Sequence, residues 1–145
     1  GGPRPYTTQV KTMFRKAFPH IPIVKTGYKT AEMVKYFINN FLSVKVSFAN
    51  EMYQICNALN IDYDKVTEYA LFDQRIGKSH LSVPGPDGDF GYGGHCLPKD
   101  IEAIIYIARF LGLEPNILEA TKQKNNKVRN NRDWEYMKGR AVSHE

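Results

Sequence analysis

The longest stretch of helically spaced apolar positions predicts one long helix, from about Thr30 to Leu59. No proline or glycine interrupts it, and at about 1.5 Å per residue it would span roughly 45 Å. Its apolar residues fall on two faces rather than one. The first face comprises Met33, Phe37, Val44, Phe48, Met52, Ile55 and Leu59, and the second comprises Val34, Ile38, Leu42, Ala49, Tyr53 and Cys56. A helix that is apolar on two sides is buried on two sides, so we expect a second copy of the chain to cover one of them in a two-fold dimer.

The flanking segments predict shorter helices. Thr7–Phe18 and Ile101–Leu111 both carry a helical spacing of apolar residues. Gly112 can end the later of these helices because glycine readily adopts a positive φ. Asp62 is expected to cap a further helix over Tyr63–Phe72.

Two segments depart from the helical pattern. Ile21–Val24 predicts a short edge strand, since Pro22 has no N–H to donate to a neighbouring strand. Asp73–Asp89 is rich in glycine and proline, which predicts an irregular loop of a length that usually carries function or disorder. The chain is therefore predicted to be mainly α, built on one long helix, with a short α/β piece at its N-terminus.

The most specific chemistry lies in Gly91–Asp100, which reads GYGGHCLPKD. Cys96 follows a glycine-rich turn and precedes a helix, where free backbone N–H groups and the helix dipole stabilise a thiolate. If the helix extends back to Cys96, Asp100 lies one turn further on the same face. A nucleophile beside a carboxylate can form and then hydrolyse an acyl-enzyme. On spacing alone, a turn cysteine in a loop that merely needs glycine is an equal alternative.

This decapeptide resembles the active-cysteine motif of the UDP-glucose/GDP-mannose dehydrogenase family. Three more segments resemble that family in the same chain order. They are Ala31–Tyr36 with Asn39, Phe48–Glu51 and Asp73–Gly77. The resemblance covers about residues 20–128.

The resemblance implies a piece of a three-domain enzyme. Residues 1–28 would be the remnant of an NAD-binding domain, 29–131 a helical central domain that carries the cysteine and dimerises, and 132–145 a linker or tail. No Gly-x-Gly-x-x-Gly motif follows a strand, so NAD would be bound mainly by a missing N-terminal domain. We therefore expect this chain alone to be inactive.

The resemblance also implies roles for particular residues. Cys96 would attack the aldehyde intermediate, and Asp100 would position or activate the water that hydrolyses the thioester. Lys35 and Asn39, four residues apart on the long helix, would contact the substrate and stabilise oxyanions. Without the resemblance, a snorkelling lysine and an exposed asparagine would be the simpler interpretation of that pair. Asn40 is a less favoured candidate on its position in the helix.

Further contacts with substrate and cofactor follow from the same comparison. Arg75 resembles an arginine that reaches the substrate of a neighbouring subunit, although a plain surface arginine is an equal alternative. His80 or Leu81 stands where some members carry a substrate-contacting aromatic residue, and the backbone at Gly93 would leave room for the sugar. Lys99 resembles a residue that meets the phosphates of the cofactor.

The predicted activity is oxidation of UDP-glucose to UDP-glucuronate through a cysteine thiohemiacetal and thioester. The sequence leaves two alternatives open. One is a related enzyme acting on GDP-mannose or UDP-N-acetylmannosamine, because Pro84–Pro86 and Gly94–Cys96 are closer to the branch that uses acetylated sugars. The other is a non-catalytic dimerisation module, against which the joint presence of Cys96, Asp100 and the Lys35–Asn39 pair argues.

Charge and composition change this picture little. The 145-residue chain has a net charge of +5 and a basic stretch from Lys122 to Arg132. We interpret that stretch as a solvated helix face beside a site for an anionic nucleotide sugar, since no nucleic-acid motif or aromatic stacking pattern accompanies it.

No apolar run reaches the roughly 20 residues that a membrane span needs. Two cysteines make no disulfide framework, and thiol chemistry fits the cytoplasm. His95 stands in no Cys/His cluster, so no metal site is predicted.

Overall fold

The computed structural model describes residues 3–137, and the mainly α prediction is confirmed. Its elements are α1 (Tyr6–Ala17), α2 (Tyr28–Ala58), α3 (Tyr63–Ala70), α4 (Cys96–Phe110) and α5 (Asn116–Val128), followed by a short 3₁₀ helix (Asp133–Tyr136). The first two glycines and the last eight residues of the predicted tail lie outside the described residues. None of the helices in residues 3–137 combines the length and the apolar character needed to cross a bilayer.

The chain divides into two compact units, one ending at Phe37 and the other beginning at Ile38. The first unit contains α1, which has no buried residue. The strand predicted at Ile21–Val24 is wrong, because this segment is irregular in the structure. A strand requires a partner for its backbone hydrogen bonds, and no strand forms anywhere in residues 3–137.

The long helix α2 supplies the core of the second unit. Of the second predicted apolar face, the part nearer the C-terminal end of α2 turns inward: Ala49 and Cys56 are buried and form a cluster with Tyr63 and Val83, whereas Val34 and Ile38 are 52% and 50% exposed. The first face stays largely exposed, with Phe48 61% exposed. The chain therefore covers part of one apolar face of α2 and leaves much of the other in contact with solvent.

The predicted cap of α3 is confirmed, since the Asp62 carboxylate accepts hydrogen bonds from the backbone N–H groups of Asp64 and Lys65. Directly after this cap, the Tyr63 hydroxyl donates to the backbone carbonyl of Leu81 at 2.7 Å. Burial of the ring raises the pKa of Tyr63 to about 12. The hydrogen bond from this buried tyrosine attaches the loop after α3 to the core.

The inward face of α2 is also unusually polar, and its side chains bind other segments. Ser47 donates to the backbone carbonyl of Thr121 in α5 at 3.1 Å. Asn50 donates to the Val46 carbonyl one turn back, and its oxygen accepts from the backbone N–H of Gly91. Hydrogen bonds as well as apolar contacts thus fix α2 against α5 and the glycine-rich segment.

Candidate functional site

Cys96 is the first residue of α4, so the helix does extend back to the cysteine. The thiol is exposed, whereas Asp100, four residues later, is only 1% exposed. Residues four apart in a helix share a face. The structure therefore combines an accessible sulfur at a helix N-terminus with a buried carboxylate one turn below it.

The side chains of Asn39 and Lys99 both bind the Asp100 carboxylate. Asn39 of α2 donates from Nδ2 to Oδ2 at 2.5 Å, and the Lys99 ammonium pairs with Oδ1. Asn40, the less favoured candidate, is buried and donates to the backbone carbonyl of Asp100 at 3.4 Å. The structure thus brings Asn39, Lys99 and Asp100 together beside the start of α4.

Lys35 lies in the first unit and is exposed at its position on α2. Its ammonium is 5.9 Å from the centre of the neighbouring Tyr36 ring, a distance that permits a weak cation–π contact. Its predicted oxyanion role stays a prediction.

Three polar side chains hold the glycine-rich segment by its backbone. Asn50 accepts from Gly91, and Asn125 of α5 both accepts from the Tyr92 N–H at 2.7 Å and donates to the Tyr92 carbonyl at 3.0 Å. The Asp133 carboxylate accepts from the Gly94 N–H, at 3.1 Å to Oδ1 and 3.0 Å to Oδ2. These contacts fix the chain immediately before Cys96.

Sequence reasoning missed these three roles. Asn50 lies inside Phe48–Glu51, a segment already marked by the family resemblance, so a signal was present for it. Asn125 and Asp133 follow no periodic pattern, and they reach partners 33 and 39 residues away in the sequence. Such long-range polar contacts leave no trace in local spacing.

Arg129 is the centre of a charged cluster. Its side chain is only 2% exposed, and its guanidinium lies 2.7 Å from a carboxylate oxygen of Asp87, 3.5 Å from Asp89 and 3.6 Å from Asp133. It also donates from Nε to the backbone carbonyl of Asn131 at 2.7 Å. The interpretation of the basic stretch as a solvated face is therefore wrong for Arg129, because three carboxylates surround this cation and allow its burial.

The surroundings of Asp87 and Asp89 lower the pKa of both carboxyl groups. For Asp87, partial burial opposes ionisation, but hydrogen bonds and the charge of Arg129 outweigh it and lower the pKa. For Asp89, the hydrogen bond from the backbone N–H of Asn131 is the main cause of a lowered pKa. Both groups are therefore held as carboxylates, the form that pairs with Arg129.

A cavity of about 520 Å³ lies against the glycine-rich segment. The segment, together with Leu97 and Asp133, forms one part of its wall, and the loop after α3 contributes Ser79, His80, Ser82, Pro86 and Asp87 among others. Its volume is in the range of small-molecule sites. Two of the predicted substrate residues, His80 and Gly93, line it.

Leu81, the alternative to His80, instead packs against the apolar cluster of α2. Lys45 of α2 holds the preceding part of the loop by donating to the backbone carbonyls of Gly77 and Ser79, at 2.6 and 2.5 Å. His80 itself has a φ of 65°. The backbone is thus anchored on both sides of His80, at Ser79 by Lys45 and at Leu81 by Tyr63, which fixes the position of His80 in the cavity wall.

Arg75 is exposed, with 89% of its side chain accessible, and its guanidinium binds the nearby Asp73 carboxylate at 2.5 Å. Hydrogen bonds from Arg75 lower the pKa of Asp73. The structure thus places this arginine on an accessible surface, in a local ion pair.

Among residues 3–137, no group of three or more His, Cys, Asp or Glu side chains could hold a metal ion.

Comparison with known proteins connects this geometry to a family. Residues 29–127 match the model for the central domain of the UDP-glucose/GDP-mannose dehydrogenase family. The chain is 43% identical over 104 residues to UDP-glucose 6-dehydrogenase AglM of Haloferax volcanii, covering 72% of this chain and 23% of that protein. It is 38% identical over 110 residues to UDP-glucose 6-dehydrogenase TuaD of Bacillus subtilis, covering 76% and 23% respectively.

A solved structure agrees with these sequence matches. The UDP-glucose dehydrogenase of Pyrobaculum islandicum superimposes with a TM-score of 0.68 at 32% identity, over 83% of this chain and 27% of that one. The chain thus spans roughly a quarter of the length of these relatives. On the family match and these identities, the chain belongs to the UDP-glucose/GDP-mannose dehydrogenase family and contains its central domain.

Proposed function

We propose that the protein containing this chain oxidises the C6 alcohol of UDP-glucose to a carboxylate, with Cys96 as the nucleophile. The observation that carries the proposal is the exposed Cys96 thiol at the N-terminus of α4, one turn before the buried Asp100. Backbone N–H groups at a helix N-terminus stabilise the thiolate, which is the reactive form. A helix start of this kind suits a sulfur that must carry negative charge and then form a covalent bond.

The residues of this chain would act in sequence. The Cys96 thiolate adds to the carbonyl carbon of the C6 aldehyde and forms a thiohemiacetal. Loss of a hydride from that carbon gives a thioester, and water then releases the carboxylate and regenerates the thiol. Asp100 would hold or deprotonate this water. Asn39 can donate one amide N–H to Asp100 and offer the second to the oxyanion.

NAD, when bound, accepts the hydride in each of the two oxidations. The described residues contain no strand, so they do not form the strand–glycine–helix site that binds a dinucleotide. NAD would therefore be held mainly by a part of the protein outside this chain. Lys99 could meet its phosphates only if the ion pair with Asp100 opens.

The cavity beside the glycine-rich segment would take the sugar end of the substrate. His80 lines the cavity, and the Gly93 backbone forms part of its wall. Arg75, exposed at the surface, would meet the nucleotide of a neighbouring subunit. We favour UDP-glucose because the relatives named for it reach 43% identity, whereas the GDP-mannose 6-dehydrogenase of Azotobacter vinelandii is 35% identical over 105 residues.

Alkylation of the intact chain tests the nucleophile. Iodoacetamide should modify Cys96 about ten times faster than an exposed thiol introduced at the other end of the same helix by Leu111→Cys, since the dipole favours the thiolate only at the N-terminus. Leu111 is 63% exposed and Cys96 is also exposed, so the reagent can reach both positions. Mass spectrometry of the separate peptides gives both rates. The assignment fails if Cys96 reacts no faster than the introduced thiol, or more slowly than the buried Cys56.

We also propose that the protein is a homodimer built on α2. Phe41, Phe48 and Ile55 are 56%, 61% and 44% exposed, and their spacing of seven residues places them in one apolar stripe along the helix. Solvated apolar side chains in a row favour association with a second apolar surface. An isologous pairing of two such helices would cover both stripes at once.

Phe48→Asp is therefore expected to convert the dimer into a folded monomer, because a charge buried in the interface would lack a partner. Sedimentation velocity at micromolar concentration measures the change. Asn57→Asp is the matched control, since Asn57 lies on the same helix about 180° around it from Phe48. A wild-type chain that sediments as a monomer, or equal dissociation of both variants, would contradict this pairing.

A further inference from the structure

The 3₁₀ helix after α5 reaches back to the turn that presents Cys96. Both carboxylate oxygens of Asp133 accept from the backbone N–H of Gly94, at 3.1 and 3.0 Å. Gly94 has a φ of 70°, and only His95 separates it from Cys96. The contact therefore fixes a left-handed turn two residues before the sulfur.

Asp133 is itself held in place. The buried guanidinium of Arg129 lies 3.6 Å from Asp133 Oδ1 and also pairs with Asp87 and Asp89. Arg129 further donates to the Asn131 carbonyl, and the Asn131 N–H donates to Asp89 at 2.9 Å. This network leaves the Asp133 carboxylate little freedom to move away from Gly94.

The network also packs directly against the glycine-rich turn. A Cβ atom added to Gly93 would lie 2.7 Å from both Arg129 Cζ and Asp133 Oδ1. No positive φ requires glycine at this position. Gly93 is therefore glycine at least partly because Arg129 and Asp133 occupy the space beside it.

We propose that Asp133, held by Arg129, is a positioning residue for Cys96, which rests on the function proposed above. The Asp133–Gly94 contact fixes the chain that enters α4, and Cys96, the first residue of α4, lies among the free backbone N–H groups of that helix end. Helix ends fray when nothing holds them. A frayed first turn would scatter those N–H groups and stabilise the thiolate less.

Two substitutions separate this hydrogen bond from the charge. Asp133→Asn and Asp133→Ala both remove the carboxylate charge, but only asparagine keeps an oxygen that can accept from Gly94. We expect iodoacetamide to modify Cys96 roughly three to ten times more slowly in Asp133→Ala than in Asp133→Asn, the effect of losing one hydrogen bond. Glu135→Gln, two residues further along the same 3₁₀ helix, is the control and should match the wild type.

A second measurement applies if Asp133→Ala reduces folding. Hydrogen exchange of the Gly94 amide in Asp133→Asn and Asp133→Ser, both of which retain an acceptor, should stay slower than in Asp133→Ala by a similar factor. Equal alkylation and exchange rates in all Asp133 variants would overturn the positioning role while leaving Cys96 as the nucleophile. A wild-type Cys96 no faster than the thiol introduced by Leu111→Cys would overturn both proposals.

Discussion

Cys96→Ser is expected to stop carboxylate formation in the enzyme that contains this chain, with a loss of at least about a thousand-fold. A serine hydroxyl is not ionised near neutral pH, so it adds poorly to the aldehyde, and any ester formed would hydrolyse slowly. The first oxidation, from alcohol to aldehyde, does not need the sulfur and should be retained. The reaction should therefore stall at or near the aldehyde.

Chromatography of the nucleotide-sugar products, with trapping of the aldehyde by a hydrazine, measures the two oxidations separately. Cys56→Ala is the matched control, because Cys56 is buried in the core of α2 rather than at the start of α4. It should leave the ratio of acid to aldehyde unchanged per folded protein. Acid formation at equal rates in Cys96→Ser and the wild type would remove Cys96 from the mechanism.

Arg129→Met is expected to lower the free energy of unfolding by about 3 kcal/mol. Methionine fills part of the volume but removes the cation that lies among Asp87, Asp89 and Asp133. The three carboxylates would then repel one another, and the Asn131 carbonyl would lose its donor. Partial exposure of the carboxylates limits the loss, which keeps the expected value at the lower end of the range for buried pairs.

Denaturation by urea, followed by circular dichroism, measures this change. Arg132→Met is the control, because the side chain of Arg132 is 43% exposed and its pairing with Glu135 at 3.5 Å is loose. Surface substitutions of this kind change stability by about 0.5 kcal/mol or less. Equal losses in the two variants would show that Arg129 contributes no more than an ordinary surface arginine.

The sequence predicted those features that depend on local pattern. The extent of α2 followed from a long stretch of helically spaced apolar residues without proline or glycine, and the cap at Asp62 followed from residue type at a helix start. The proximity of Cys96 and Asp100 needed only a helix that begins at the cysteine. Each of these depends on residues within one or two helical turns of one another.

What the sequence did not predict depends on distant partners. Arg129 stood in a basic stretch, and although Asp133 is only four residues further on, the other two carboxylates, of Asp87 and Asp89, come from the loop before Cys96. Pro22 suggested an edge strand, but the partner that would make it a strand is absent from the described residues. The pattern of residue types shows which face of an element is apolar. It does not show which charged residue, distant in the sequence, will contact that element.

The contact between Asp133 and Gly94 has a consequence for where this domain ends. The family match stops at residue 127, and the boundary expected from the sequence was residue 131. A protein shortened to either position would lack Asp133, and one shortened to 127 would also lack Arg129. Domain limits drawn from similarity alone would thus produce a chain that contains the complete cysteine motif. That chain would lack Asp133, the residue that holds the turn before Cys96.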